Sequence, residues 1–180
     1  MGYSNFSDRP NIERIAAIAN KFNLSSNPDS VHLYLQFQQT YREIEKEYNQ
    51  LLEKYKLSES RFSILMFLSI AENEKLLPSE IADKLNVTRP TASKLIKGMN
   101  SKGLITIQQS STDKRTSFIK ITLEGKNLLQ TFLPYNYQAV DSLFDGFSAE
   151  ERNQLSYLLE KLANNKSKLK KLEDTKHANS

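Results

Sequence analysis

The sequence predicts a mainly α-helical chain carrying one small β-hairpin, and three observations point there. Apolar residues recur at steps of three and four along most of the 180 residues, the spacing that lines one face of a helix. Glycine and proline number only five each, so long stretches run without a breaker. Two short segments rich in Ile, Thr and Phe, Leu104 to Gln109 and Ser117 to Thr122, depart from the helical period and read as paired strands.

The N-terminal elements follow from spacing and capping. Ile12, Ile15, Ala16, Ala19 and Phe22 form one apolar stripe, with Asp8 or Asn11 available as a cap beside Pro10, so a short amphipathic helix is expected. The turn-rich run Ser25 to Ser30 separates it from a longer helix expected to start near Ser30. On that helix Phe37, Tyr41, Ile44, Tyr48, Leu51 and Tyr55 fall at alternating steps of four and three. Such a seam reads first as buried core. The sharper reading is one wall of a ligand pocket, with tyrosine hydroxyls as polar handles.

Ser58 is expected to open a third helix that is apolar on nearly every side, from Phe62 through Ile70, and therefore the buried centre; the polar run Glu72 to Lys75 ends it. Pro78 suits a first helical turn, and Ile81, Ala82 and Leu85 give the next helix a short apolar stripe. Asn86 can take the left-handed conformation of a tight helix exit, and Thr88 can cap a new helix two residues later. That pattern is a helix-turn-helix.

In the new helix Ala92, Leu95, Ile96 and Met99 share the packing face, while Arg89, Ser93 and Lys97 run along another line with Thr91 and Lys94 beside them. Gly103 is the expected terminator. The segment joining the two strands, Ser110 to Thr116, carries Lys114 and Arg115 and is long enough to project as a wing. Asp113 and Arg115, two apart in an extended loop, can pair and so aim the guanidinium. Thr122 should cap a further helix that Pro134 kinks and Gly146 and Phe147 end; Ser148 and Glu151 form a capping box for the last one.

Charge is local. The stretch Lys84 to Thr112 holds five cations and no acid, whereas the chain as a whole carries +4, so everything outside the stretch sums to −1. An acid-free basic face suits a polyanion, because cations that neutralise phosphates release condensed counterions. Composition excludes other classes. Without cysteine there are no disulfides, thiolate nucleophiles or Cys-based zinc sites. No GxSxG, HExxH, P-loop or GxGxxG occurs, so neither enzyme nor cofactor is expected. The most apolar run, Phe62 to Ala71, falls well short of the roughly 20 residues of a membrane span, and the N-terminus lacks a signal-peptide core, which leaves a cytoplasmic location.

The passages LSESRFSILMFL, LPSEIADKLNVTRPTASKLIKGMNSKGLI and STDKRTSFIKITLEGKNLL together resemble the MarR family of bacterial transcription regulators, over about Val31 to Leu162. The Asp113-Lys114-Arg115 wing and the Leu123-Glu124-Gly125 helix start are the most specific parts. The resemblance implies a winged helix-turn-helix domain flanked by long dimerisation helices. Residues 1–56 and 123–173 would dimerise, 57–122 would bind DNA, and 174–180 would form a tail.

The resemblance further implies a homodimeric repressor on double-stranded DNA. Thr88, Arg89, Pro90, Thr91, Ser93, Lys94 and Lys97 would present the reading surface, with Asp113, Lys114 and Arg115 in the wing. It also implies a small aromatic or anionic effector that loosens DNA binding, for which Phe37, Tyr41 and Tyr48 are the candidate contacts. The alternative is a winged-helix protein-interaction module, but such a module has no need of an acid-free face beside a basic wing.

Overall fold

A computed structural model describes residues 10–109 and 116–169. The chain forms two compact units, the first running to Leu129 and the second starting at Gln130.

In the first unit, α1 (Ile12–Lys21) starts where the Asn11 side chain accepts the Arg14 N–H at 3.0 Å. It packs against α2 (Pro28–Lys54), and its Ile15 and Ala19 are buried. Helix α2 begins two residues before Ser30. Pro28 occupies the first helical position, where a missing N–H costs nothing, and Asn27 accepts the Asp29 N–H at 2.9 Å.

The aromatic seam of α2 is not the core that its spacing predicts. Leu52 is fully buried, but Phe37 and Tyr41 are 41% and 56% exposed and Ile44 is exposed as well. Among the described residues the middle of this face is open to solvent.

Helix α3 (Glu59–Ile70) supplies the centre through Ile64, Leu65 and Leu68, all inaccessible to solvent. Burial fails at its last residue: Ile70 is 78% exposed, because the chain turns away there into the short 3₁₀ segment Glu72–Glu74. Strand β1 (Lys75–Leu76) follows, a two-residue element with no counterpart in the sequence reading. It pairs with β3 (Ser117–Ile121), which pairs in turn with β2 (Ile105–Gln109), giving an antiparallel sheet of order β1-β3-β2.

Register places Leu76 and Ile107 opposite Ile119, and Ile105 opposite Ile121. Leu76, Ile105, Ile119 and Ile121 are buried, so one face of the sheet closes the core. Helices α4 (Pro78–Leu85) and α5 (Arg89–Asn100) complete it with Ile81, Ala82, Ala92, Ile96 and Met99. Each of the larger side chains among them, isoleucine, leucine or methionine, contributes about 1.5–3 kcal/mol of transfer free energy.

Helix α6 (Leu123–Ser142) carries Pro134 in its interior, and the first unit takes it as far as Leu129. Its end lies short of the Gly146 and Phe147 expected from sequence. The N–H groups of Leu143 and Phe144 reach back only three residues, to Val140 and Asp141, so the helix tightens and stops before Gly146 turns left-handed at φ 83°.

The second unit continues through α7 (Ala149–Asn164), opened by the expected capping box. The Ser148 N–H donates to Glu151 Oε2 at 2.8 Å, and the Glu151 N–H donates to Ser148 Oγ at 3.2 Å. No helix among the described residues is long and apolar enough to cross a membrane.

Candidate nucleic-acid interface

The turn between α4 and α5 has the geometry that its residues dictate. Asn86 sits at φ 51°, ψ 45°, and the next N–H, that of Val87, donates to the Ala82 carbonyl at 3.0 Å, five residues back. This is a Schellman closure with asparagine in place of the usual glycine. The chain is then redirected within two residues. Thr88 Oγ1 accepts the Thr91 N–H at 3.4 Å and lies 2.9 Å from the Thr91 hydroxyl, so α5 begins in a small hydroxyl cluster with no acid in its first turn.

Helix α5 is divided by face. Ala92, Ile96 and Met99 are buried, whereas Thr88, Arg89, Pro90, Thr91, Ser93, Lys94 and Lys97 are all exposed. At 100° per residue, Arg89, Ser93 and Lys97 advance along one solvent-facing row. Lys84, another cation of the acid-free stretch, sits elsewhere: its Nζ lies 5.7 Å from the Phe67 ring of α3. A cleft of about 540 Å³ runs between Leu77, Pro78 and Ser79 at the start of α4, Arg89 at the start of α5, and Thr116 and Ser117 at the base of β3. Ser79 and Ser117 are not among the residues that the sequence points to for this surface, and Thr116 enters it only as the end of the wing segment. The available signal was Pro78-Ser79 at a helix start, where unpartnered N–H groups favour an anion.

The wing residues Asp113, Lys114 and Arg115 lie outside the described residues. Strands β2 and β3 form the hairpin that flanks them.

The far end of α5 is joined to α6 by directional bonds. Gly103, at φ 72°, donates its N–H to Asn100 O at 2.9 Å, and the Leu104 N–H donates to Met99 O at 3.1 Å, a second Schellman closure. The carbonyls of these two residues then meet the start of α6. The Thr122 hydroxyl donates to Gly103 O at 2.6 Å and accepts the Gly125 N–H at 3.1 Å, while the Thr122 N–H donates to Leu104 O at 3.2 Å. Lys126 pairs with Glu74 at 2.5 Å, tying the same turn of α6 to the segment before β1.

Phe37, Tyr41 and Tyr48 share one face of α2, away in sequence from the α5 row. The Tyr41 hydroxyl is pushed above the usual phenol range chiefly by the Glu45 carboxylate, then by burial and by Glu59. Tyr48 is pushed the same way by burial and then by Glu59. Both phenols are therefore neutral at physiological pH.

Residues 55–116 match a family model described as MarR family. The chain is 34% identical over 121 residues to the HTH-type transcriptional repressor YetL of Bacillus subtilis, an alignment covering 65% of this chain and 72% of that protein. The chain belongs to the MarR family. A second MarR-type relative, the transcriptional repressor MprA of Escherichia coli, is 27% identical over 114 residues, 63% of this chain and 65% of MprA. Among solved MarR-type structures, the S. aureus MepR–DNA complex superposes with a TM-score of 0.65 at 25% identity, over 73% of this chain and 96% of MepR. Sco3205 of Streptomyces coelicolor, a MarR family regulator solved with DNA, superposes at 0.69 with 19% identity, over 77% and 88% of the two chains.

Proposed function

We propose that this chain is a transcription regulator that reads double-stranded DNA as a homodimer and acts as a repressor. The observation that carries the reading is the division of α5, which buries its apolar residues and leaves an acid-free row of hydroxyls and cations in solvent. Arg89, Ser93 and Lys97 read or clamp the major groove. Thr88, Pro90, Thr91 and Lys94 surround that row at the helix start, and Ser79, Thr116 and Ser117 line the cleft that receives the phosphate backbone. In this reading Arg115 enters the minor groove with Asp113 aiming it, and Lys114 adds a cation to the wing. Relatives named as repressors, and a structural neighbour solved with DNA, support the reading.

Dimerisation is supported by the exposed apolar side chains of α2 and α7, which a second copy would cover. Two copies then address a pseudo-palindrome with half-sites about one turn, ~10 bp, apart.

Fluorescence anisotropy across a salt series tests this reading, since each neutralised phosphate contributes a log–log slope of about −0.9. Lys97→Ala and Arg89→Ala should each weaken binding and flatten the slope by about 1 where the contact is to phosphate. Arg115→Ala should also weaken it, and Lys168→Ala, in the exposed C-terminal stretch, should not. A salt-independent signal overturns the DNA reading.

The reading includes an effector site on the α2 face of Phe37, Tyr41 and Tyr48. The class proposed for it is the small aromatic or anionic molecule that the resemblance implies, held against the aromatic rings with the tyrosine hydroxyls as polar handles.

A further inference from the structure

The end of α5 and the start of α6 are connected through one hydroxyl, and that connection assigns a role to a residue far from the exposed row. Apolar packing of Ala92, Ile96 and Met99 holds α5 against the core, but it is non-directional, so directional bonds set the helix position along and about its axis more finely. Base readout tolerates displacements of only about half an ångström, so the axis needs directional contacts. The structure supplies them at Gly103 and Leu104, whose carbonyls accept from the hydroxyl and the N–H of Thr122.

Resting on the DNA-reading proposal above, we infer that Thr122 is a positioning residue for DNA recognition: its hydroxyl fixes the recognition helix to the first turn of α6. The chemistry required at this position is narrow. The side chain must donate to Gly103 O and accept from the Gly125 N–H at the same time, which a hydroxyl does and a carboxylate cannot.

This requirement separates capping from positioning. Thr122→Asp keeps one of the strongest helix caps and so preserves α6, but sets a carboxylate against the Gly103 carbonyl. Thr122→Ser keeps both functions. The probes are a duplex selected by the wild-type chain from a randomised pool and an unrelated duplex of equal length. The ratio of the two affinities is read because an added anion weakens both alike.

Thr122→Asp should lower that ratio about tenfold with its circular dichroism retained, whereas Thr122→Ser should match wild type. Amide exchange gives a readout that needs no DNA: the N–H groups of Gly103 and Leu104 should exchange faster in Thr122→Asp and unchanged in Thr122→Ser. Wild-type discrimination or unaltered exchange in Thr122→Asp overturns the assignment, as does equal loss in Thr122→Ser. A wild-type chain that selects no duplex fails the DNA reading instead, and the exchange measurement still decides whether Thr122 holds α5.

Discussion

Gly125 shows how one atom can hold a junction open. A Cβ built there would lie 2.2 Å from the Leu104 carbonyl oxygen and 3.0 Å from Ile121 Cγ1, and neither backbone nor buried isoleucine can give that much. The Leu123-Glu124-Gly125 helix start thus has a local cause: α6 crosses the exit of α5 at backbone contact. Gly98, inside α5, has nothing within 4 Å of the same construction. Alanine at the two positions should therefore act in opposite directions. In urea unfolding, Gly125→Ala should cost about 1–3 kcal/mol through overpacking, and Gly98→Ala should add up to about 1 kcal/mol through helix propensity. Shifts of the same sign would remove this account of Gly125.

Helix ends show what was legible and what was not. Asn11, Thr88 and the Ser148/Glu151 box were readable because their side chains announce the bonds that they make. The left-handed exits at Asn86 and Gly103 were equally plain. At the end of α2, however, Lys56 takes φ 57° and the Leu57 N–H donates to Leu52 O at 3.0 Å, the same closure without the customary residue. There the burial of Leu57 outweighs the local backbone cost, a tertiary effect that local sequence does not carry. Strand β1 was missed for a related reason, since two residues show no alternation and Leu76 belongs to the sheet only through Ile119.

The α2 seam was found by its spacing and misjudged in its burial, because spacing identifies an apolar face without saying which chain covers it. Its proposed effector class can be tested by thermal shift. At least one of a panel of phenolic acids should raise the midpoint by a few degrees, and Tyr41→Ala with Tyr48→Ala should abolish that shift. No stabilisation by any member of the panel would remove the effector site.

At the scale of the molecule, the candidate reading surface was legible as a run of residues because one helix carries it, whereas its surroundings at Ser79, Thr116 and Ser117 come from two other places in the chain. The second unit has exposed apolar side chains beyond the needs of a soluble surface: Leu158 and Leu162 on α7 are 49% and 50% accessible. If a second copy covers them, the melting midpoint should rise with protein concentration, and Leu158→Glu with Leu162→Glu should give a monomer by sedimentation. A monomeric wild type with a concentration-independent midpoint would exclude this interface.

The pairing of β1 with β3 also orders events during synthesis. Leu76 and Ile119 are 43 residues apart, and the helix-turn-helix lies between them. At ribosomal speeds of about 5–20 residues per second, the strand that closes the sheet leaves the peptidyl-transferase centre about 2–9 s after its partner. During that interval the nascent α4 and α5 have neither their β-sheet floor nor the Thr122 anchor, so competence to find an operator arrives late and nearly all at once.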